Sequence, residues 1–407
     1  MNTLFIPGTL RLVVGLGTTC TIGYGTLFYS FSLLSAEFSA HFSWSSSFVF
    51  GIFSLGIFLS GLFAPVFGRL IDRFGARYPM TIGSLLAALG LLALSQVQNH
   101  WQFAIALAFT EVVSVLVVYE TAFVALTKAL NKDARYTMTQ ITLMAGFAST
   151  IFWPLIAWLL TFLDWRCVYI ILALCHLLLC LPIHWCVVRR QEAVEQKGQP
   201  PQSRSASVSL WIRLGLAVAL GLAAFAITAL QIHLFTIFDQ LNIEFSIAVA
   251  VAIGALVGPA QVIARVLDML CGRRLSPIVL GLISFGLMIL GILGMLLSST
   301  VPQSIWLFAI GFGAGQGLSY IVRGAVPLYL FGASQYGYIT GQLNGVRMAF
   351  TAVAPFSFAF LMQSWGLYPA LCLLLLLMGI STIILLVLSS VFSGHSALDK
   401  RVKPPTE

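Results

Sequence analysis

Long apolar runs separated by short polar or charged stretches extend along almost the whole chain. An apolar run of about 18 residues or more is a candidate membrane-spanning helix, because the hydrocarbon core of a bilayer is about 30 Å thick and a helix rises about 1.5 Å per residue. The pattern predicts twelve such helices, at residues 10–34, 45–67, 79–97, 102–127, 137–161, 165–188, 210–236, 246–264, 277–297, 303–330, 340–362 and 366–390. It therefore predicts an all-α integral membrane protein surrounded by lipid.

The charge of the chain supports this interpretation and adds a topology. Only 8% of the 407 residues are charged, against about 25% in soluble domains. The net charge of +8 comes from cations on one side of the predicted bundle, whereas the loops of the other side contain only Arg166. Because cytoplasmic loops carry such an excess of Lys and Arg, both termini are predicted to be cytoplasmic, and nucleic acid is not an expected partner. The cations on that side are Arg11, those of 69–77, 128–135, 189–213 and 265–274, and those of 400–403.

A polar segment divides the predicted helices into two groups of six. Residues 189–209 contain two prolines, Pro200 and Pro201, among charged and amide side chains. Such a segment has no apolar surface to bury and is typical of a linker. The predicted organisation is an N-terminal six-helix bundle at 1–188, a cytoplasmic linker at 189–209, a C-terminal six-helix bundle at 210–392 and a cytoplasmic tail at 393–407.

The two groups of helices contain matching residues, which predicts an internal repeat. Three residues of the first half recur 201 positions later in the second: Tyr119, Thr139 and Pro154 correspond to Tyr320, Thr340 and Pro355. Arg69-Leu70-Ile71-Asp72 is echoed by Arg265-Val266-Leu267-Asp268 at a slightly different offset. Two related six-helix halves are therefore expected.

The segment 68–77 places four charges and two glycines between the second and third predicted helices, where it is expected to form a tight turn. It resembles the loop signature of the major facilitator superfamily, G-x-L-x-D-r-x-G-x-r, although Ala76 stands where many members have a base. The matching residues are Gly68, Leu70, Asp72, Arg73, Gly75 and Arg77. The resemblance implies twelve helices in two pseudo-symmetric six-helix bundles, with a small-molecule substrate bound between the halves near the middle of the membrane.

This loop is also a candidate gating motif. The glycines permit a sharp reversal of the chain, and Asp72 is placed to accept hydrogen bonds from arginines or from a helix N-terminus of the other half. Such a contact forms only while the cytoplasmic side is closed, so it would bias the alternation between two conformations. The alternative is an ordinary cytoplasmic loop whose basic residues only set the topology.

Four charged residues lie inside predicted spans, where an ionisable side chain costs several kcal/mol unless it faces a cavity or a partner. They are Glu111 and Glu120 in the fourth span, Arg323 in the tenth and Arg347 in the eleventh. In the resembled superfamily these helices line the central cavity, which would place all four near water. Tyr119 and Tyr320, together with Gln231 and His233, are further side chains that could line the path.

The repeat places Glu120 and Arg323 at similar depth on corresponding helices, so the two side chains are predicted to pair across the halves. Arg347 is expected near the same level, and two arginines facing one cavity would attract an anion or would each need a carboxylate. Glu111 lies nearer the middle of the membrane and could exchange protons. The alternatives are a permanent structural bridge for the pair and a protonated Glu111 bonded to a neighbouring helix.

The cysteines and histidines of the sixth span raise the question of a metal site. His176, Cys180 and His184 recur every four residues and so share a helix face, with Cys175 beside them. The alternative is ordinary buried cysteines and an interfacial histidine, and no metal ligand or cofactor is assigned. No ATP-binding G-x-x-x-x-G-K-[ST] segment occurs, and the six histidines are too dispersed for a membrane enzyme, so no catalytic residue is expected.

Two short segments, Tyr24-Gly25 and Phe42-Ser43-Trp44-Ser45, are similar to monocarboxylate and oxalate/formate transporters. In those members arginines of the second half hold the carboxylate, although the predicted eighth span here, 246–264, lacks the basic residue that they often use. Segments 119–123 and 146–150 instead resemble bacterial exporters of drugs or metalloids. The prediction is a monomeric, proton-coupled secondary transporter of a small organic anion in the bacterial cytoplasmic membrane, with an efflux pump of the same fold as the alternative.

Overall fold

The computed structural model describes residues 10–130, 134–188, 210–241, 247–270, 275–331 and 336–402. Throughout these ranges the chain is helical, apart from short turns, and no strand occurs in them. The helices are α1 (Leu10–Gly23), α2 (Ser30–Phe42), α3 (Ser46–Phe74), α4 (Arg77–Ser95), α5 (His100–Ser114), α6 (Tyr119–Leu130), α7 (Ala134–Ala145), α8 (Ala148–Leu160), α9 (Trp165–Cys175), α10 (Leu181–Val187), α11 (Leu210–Ile232), α12 (Leu234–Gln240), α13 (Ile247–Leu270), α14 (Pro277–Leu297), α15 (Ile305–Phe331), α16 (Tyr336–Trp365) and α17 (Leu367–Val402). Two π-helical turns, Tyr24–Tyr29 and His176–Cys180, join α1 to α2 and α9 to α10.

The described helices account for all twelve predicted spans. Within the described ranges, eleven segments are long and apolar enough to span a membrane as a helix. The fourth predicted span is the exception, because it is divided into α5 and α6 by a turn at Val115–Val118. Valine is a weak helix former because its branched Cβ loses rotamer freedom in a helix, and Thr121 Oγ1 donates to Val115 O at 2.8 Å, which stabilises the turn.

The signature segment is mostly helix rather than loop, which corrects the prediction for Gly68. Helix α3 continues to Phe74, and only Gly75 and Ala76 separate it from α4. Gly75 has a φ of 73°, a conformation that favours glycine. Gly68 lies inside α3, and a Cβ there would meet nothing within 4 Å. We call this end of the bundle the signature end and the opposite end the far end.

Glycines of α14 and α15 let three helices of the second half pack closely. A Cβ at Gly313 would lie 2.7 Å from Val257 O of α13, and a Cβ at Gly291 of α14 would lie 2.6 Å from the backbone nitrogen of Phe312. Small residues permit this approach of helix backbones in membranes. The result is a rigid unit in which α13 and α14 pack against opposite sides of α15.

The two halves meet along two helix pairs, α3 with α16 and α8 with α13. In the first pair, Ser54 Oγ accepts a hydrogen bond from the backbone N–H of Phe356 at 2.9 Å. In the second, Thr150 Oγ1 donates to Ala255 O at 2.8 Å. Towards the far end the side chains of Ser47 and Gln363 also meet. Hydrogen bonds therefore join the halves in the middle and at the far end of the molecule.

The seventh segment, which is broken between α11 and α12, also contacts the α3–α16 pair. His233 lies between α11 and α12, and its ring packs on Phe50 of the first half with centroids 3.9 Å apart. Its Nε2 is 2.8 Å from Pro355 O and donates to it, since a carbonyl oxygen can only accept. His233 is fully buried, so its role in this structure is to join α3, α11 and α16.

Candidate functional site

A cavity of about 530 Å³ lies between the halves. It is lined by the Tyr24–Tyr29 turn and α6 on one side, and mainly by α11, α15 and α16 on the other. Its aromatic lining residues are Tyr24, Phe28, Tyr29, Tyr119, Phe123, Phe285 and Tyr320, and its polar or charged ones also include Thr228, Gln231, Ser319, Arg323, Asn344, Arg347 and Thr351. The cavity extends from the middle of the bundle towards the signature end, where Asn344 and Phe123 are placed.

The π-helical turn presents three aromatic side chains of the first half to the cavity. A π turn rotates the following residues relative to an α-helix and is common at functional sites. Gly25 occupies the point at which the turn meets Phe152, and a Cβ there would overlap that ring. Trp153 Nε1 donates to Tyr29 O at 3.0 Å and so anchors the C-terminal end of the turn.

We call the aromatic side chains on this side of the cavity the aromatic wall: Tyr24, Phe28, Tyr29, Tyr119 and Phe123. The rings of Tyr24 and Tyr119 lie 4.6 Å apart, and those of Tyr119 and Phe123 stack at 5.3 Å. These separations are typical of favourable aromatic pairs. Tyr24, Tyr119 and Phe123 therefore form one packed surface that joins α6 to the π turn.

The second half contributes both charged residues of the described lining, Arg323 and Arg347. The Arg323 Cζ lies 3.9 Å from the centre of the Tyr320 ring, so the guanidinium stacks on the ring. Asn344, one turn before Arg347 on α16, brings an amide to the same region. Stacking fixes a guanidinium plane and leaves its N–H groups available for bidentate binding of a carboxylate or phosphate.

Behind this surface lies a third arginine, Arg265, which the sequence interpretation placed in a cytoplasmic loop. That placement is wrong, because Arg265 is in α13 and only 5% exposed. Its Nε donates to Gly317 O at 3.0 Å and its Nη1 donates to Thr142 O of the first half at 2.7 Å. The eighth segment therefore has a buried basic residue after all, and this residue bonds the two halves.

A signal for this missed residue exists in the sequence. Gln261 and Arg265 are four residues apart and so share one face of an otherwise apolar helix, and Arg265 Nη2 lies 3.4 Å from Gln261 Oε1. Gln261 in turn donates to Gln316 Oε1 at 3.1 Å. The predicted span ended at residue 264, which separated Arg265 from its own helix.

The structure brings five of the predicted pathway residues to one cavity and leaves Glu111 and His233 elsewhere. The five that line the cavity are Tyr119, Gln231, Tyr320, Arg323 and Arg347. Glu111 does not, because it is buried against α3, where a Cβ at Gly56 would lie 2.7 Å from Glu111 Cγ. The Glu111 Oε1 atom has no hydrogen-bond partner among the described residues. A role for Glu111 in proton transfer stays a prediction.

Two predicted residues have side chains outside the described part of the structure. Glu120 lies in α6 and Asp72 in α3, but the positions of their side chains are not described. Of the neighbouring arginines, Arg77 stacks on Trp185 of α10 at 4.1 Å, within its own half. Arg73 is exposed, with its guanidinium 5.2 Å from the Phe74 ring.

The histidines of the sixth segment are held by hydroxyl groups. His176 Nε2 lies 2.6 Å from Thr26 Oγ1, and His184 Nδ1 lies 2.8 Å from Ser84 Oγ. Each hydroxyl already donates to a backbone carbonyl of its own helix, so it accepts from the imidazole N–H. The intervening π turn adds about one residue to two helical turns, which keeps the two histidines on one face. No group of three metal-ligating residues occurs in the described ranges.

Comparison with known proteins gives the family. No curated protein sequence matches the chain. Among solved structures, a bacterial homologue of the human lysosomal transporter Spinster, in an inward-facing and unoccupied conformation, is similar with a TM-score of 0.65 and 15% sequence identity, over 98% of this chain and 100% of that one. The sequence profile of the Major Facilitator Superfamily matches residues 15–355. The fold, the cavity between the halves and this match together show that the chain belongs to the Major Facilitator Superfamily, as a multi-pass membrane protein and secondary transporter.

Proposed function

We propose that the protein carries a small organic anion across the membrane by alternating access. The observation that supports this proposal most directly is the charge of the cavity: its described lining contains Arg323 and Arg347 but no carboxylate. Two guanidinium groups facing one water-accessible space favour an anion, because charge-assisted hydrogen bonds to a carboxylate are about twice as strong as neutral ones. A cationic substrate would be repelled by the same surface.

We also propose that transport is coupled to protons through the pair Glu120 and Arg323. In this mechanism the substrate anion competes with Glu120 for the guanidinium, and a proton neutralises the carboxylate when the anion takes its place. Arg323→Gln and Glu120→Gln should each abolish coupled transport, and the double variant should recover expression and thermal stability but not coupling. Strictly additive losses of stability would show that the two side chains do not interact.

The orientation and the conformational state belong to the same proposal. With the positive-inside asymmetry, the signature end faces the bacterial cytoplasm and both termini are cytoplasmic. Most described hydrogen bonds between the halves lie at the middle and far end, and the bond from Arg265 to Thr142 O lies between the middle and the signature end. Together with a cavity that extends towards the signature end, they support an inward-facing state. In that state Asp72 would be released from the contact that we propose it makes when the cytoplasmic side closes.

Counterflow in proteoliposomes tests the substrate class. Vesicles loaded with an unlabelled carboxylate should accumulate the same compound in labelled form from outside. The assay is run for a panel of mono- and dicarboxylates, each with and without an uncoupler. Arg323→Gln should reduce the accumulation about 10- to 100-fold, as expected when a charged hydrogen bond of about 1.5 to 3 kcal/mol is lost. Arg166→Gln is the matched control, because Arg166 is bonded to Ser95 O at 2.8 Å and does not line the cavity.

Exchange that is unchanged in Arg323→Gln would contradict an anion site at this cavity. Accumulation of neutral or cationic drugs in preference to carboxylates would instead support the alternative, an efflux pump of the same fold. A membrane enzyme is not supported by the transporter family to which the chain belongs.

A further inference from the structure

The two sides of the cavity differ in chemistry. All five described lining residues of the first half are aromatic, namely those of the aromatic wall. Both charged residues of the described lining belong to the second half. A molecule that spans the cavity therefore meets π surfaces on one side and guanidinium groups on the other.

The aromatic wall faces the cavity rather than filling the core. Four of its five members are only partly buried, the exception being Tyr29 at 7% exposure. Tyr29 has its own partner, since its hydroxyl accepts a hydrogen bond from Gln231 Nε2 at 3.0 Å. The rings of Tyr24, Tyr119 and Phe123 pack against one another, and that of Phe28 packs on Tyr29, which leaves ring surface on the side of the cavity. Partly exposed aromatic rings of this kind offer large, rigid contact area to a ligand.

The opposite side fixes one end of a ligand. Arg323 is stacked on Tyr320, so its plane is set before a ligand binds. A carboxylate held there by two parallel N–H···O bonds would direct the rest of the ligand away from α15. The cavity is about 530 Å³, within the range of about 300 to 1,000 Å³ of small-molecule sites, so space remains for a ring.

We propose that the transported anion is a monocarboxylate with an aromatic body, whose carboxylate binds Arg323 and whose ring packs on the wall of Tyr24, Phe28, Tyr119 and Phe123. This inference rests on the proposed function and specifies its substrate class. A formate- or oxalate-sized anion would engage the arginines and leave the aromatic wall without contact.

Calorimetric titration of the purified full-length protein tests this substrate class without requiring transport. The probes are benzoate, acetate, cyclohexanecarboxylate and benzamide, which separate charge, size and aromaticity. We expect benzoate to bind at least tenfold more tightly than acetate, because its ring buries apolar surface that acetate lacks. Cyclohexanecarboxylate should bind more weakly than benzoate, and benzamide should not bind measurably.

The outcomes separate this inference from the proposed function. If benzoate binds no more tightly than acetate, or no more tightly than cyclohexanecarboxylate, the proposal of an aromatic substrate is wrong. The proposal of an anion transporter would be unaffected by either result. Equal affinity for benzamide and benzoate, or no binding of any carboxylate, would contradict the proposed function itself.

Substitutions in the wall give a second test. Tyr119→Leu removes a ring that contacts both Tyr24 and Phe123, and it should lower benzoate affinity about tenfold while leaving acetate affinity unchanged. Tyr119→Phe keeps the ring and should bind benzoate within about twofold of the original protein. If Tyr119→Leu does not fold, Phe123→Leu replaces it with the same expectation. An equal loss for acetate and benzoate in the leucine variant would show that the wall does not recognise the ring.

Discussion

At the scale of the residue, Gly25 controls the position of the aromatic wall. It lies in the π turn that carries Tyr24 and Phe28, and any Cβ would overlap the Phe152 ring. We expect Gly25→Ala to displace the turn and to weaken benzoate binding at least tenfold. The double variant Gly25→Ala with Phe152→Ala, in which the Phe152 ring no longer blocks the new methyl group, should recover part of the benzoate affinity. Gly286→Ala serves as the control, because nothing lies within 4 Å of its Cβ.

No recovery in the double variant would show that the effect of Gly25 does not pass through Phe152. Unchanged binding in the single variant would show that the turn tolerates a side chain. Benzoate affinity is measured for each variant by the same calorimetric titration. The thermal stability of each variant distinguishes a displaced site from an unfolded protein.

At the scale of the element, the contact between α3 and α16 holds the halves together in this conformation. Pro355 has no N–H and disturbs the hydrogen bonding of the helix around it, and the next backbone N–H, of Phe356, donates to Ser54. We expect Ser54→Ala to remove about 1 kcal/mol of stabilisation from this state, and so to shift the conformational equilibrium about fivefold. Ser54→Thr keeps the acceptor and should behave like the original protein.

Reactivity of a cysteine introduced at Ser47 measures this shift, in a variant whose native cysteines are replaced. Ser47 lies towards the far end, where it meets Gln363, and the cysteine should become more reactive as the halves separate there. Ser60→Ala is the control, because Ser60 Oγ bonds only within its own helix, to Ile57 O at 2.8 Å. Equal reactivity in Ser54→Ala and Ser60→Ala would contradict a role for Ser54 in holding the halves.

The existence of the helices could be predicted from sequence, but several of their ends could not. Apolar runs identify spans because lipid excludes charge, whereas a helix continues past the membrane wherever its backbone bonds can form. For this reason α3 runs on to Phe74 and α13 includes Arg265. The break between α5 and α6 was missed because valine and leucine look alike on a hydropathy scale.

The exclusion of charge from lipid also made the arginines of the cavity predictable, whereas most of the aromatic wall was not predictable. Arg323 and Arg347 stand out because a charge in an apolar segment needs a cavity or a partner. Tyr24, Phe28 and Phe123 do not stand out, since an aromatic residue in such a segment can face lipid, core or cavity. Only the packing of the π turn against Phe152 and α6 assigns these rings to the cavity.

At the scale of the whole molecule, the distribution of cations predicts the orientation in the membrane. A reporter fused after Ser203, in the segment between the two halves, should be cytoplasmic, and one inserted near His100, at the start of α5, should be periplasmic. The paired reporters, an enzyme active only in the cytoplasm and one active only in the periplasm, give opposite signals at each site. The reverse pattern would show that the positive-inside asymmetry does not set the topology of this chain.

We propose that an organic anion binds between the aromatic wall and the arginines, at the interface of the two halves. Photolabelling with 4-benzoylbenzoate, an aromatic carboxylate that crosslinks on illumination, tests this binding site when the labelled peptides are mapped by mass spectrometry. Labelling should fall on Tyr24, Phe28, Tyr119 or Phe123, decrease with excess benzoate, and decrease in Arg323→Gln but not in Arg166→Gln. Labelling confined to the lipid-facing surface, or equal in both arginine variants, would contradict the account.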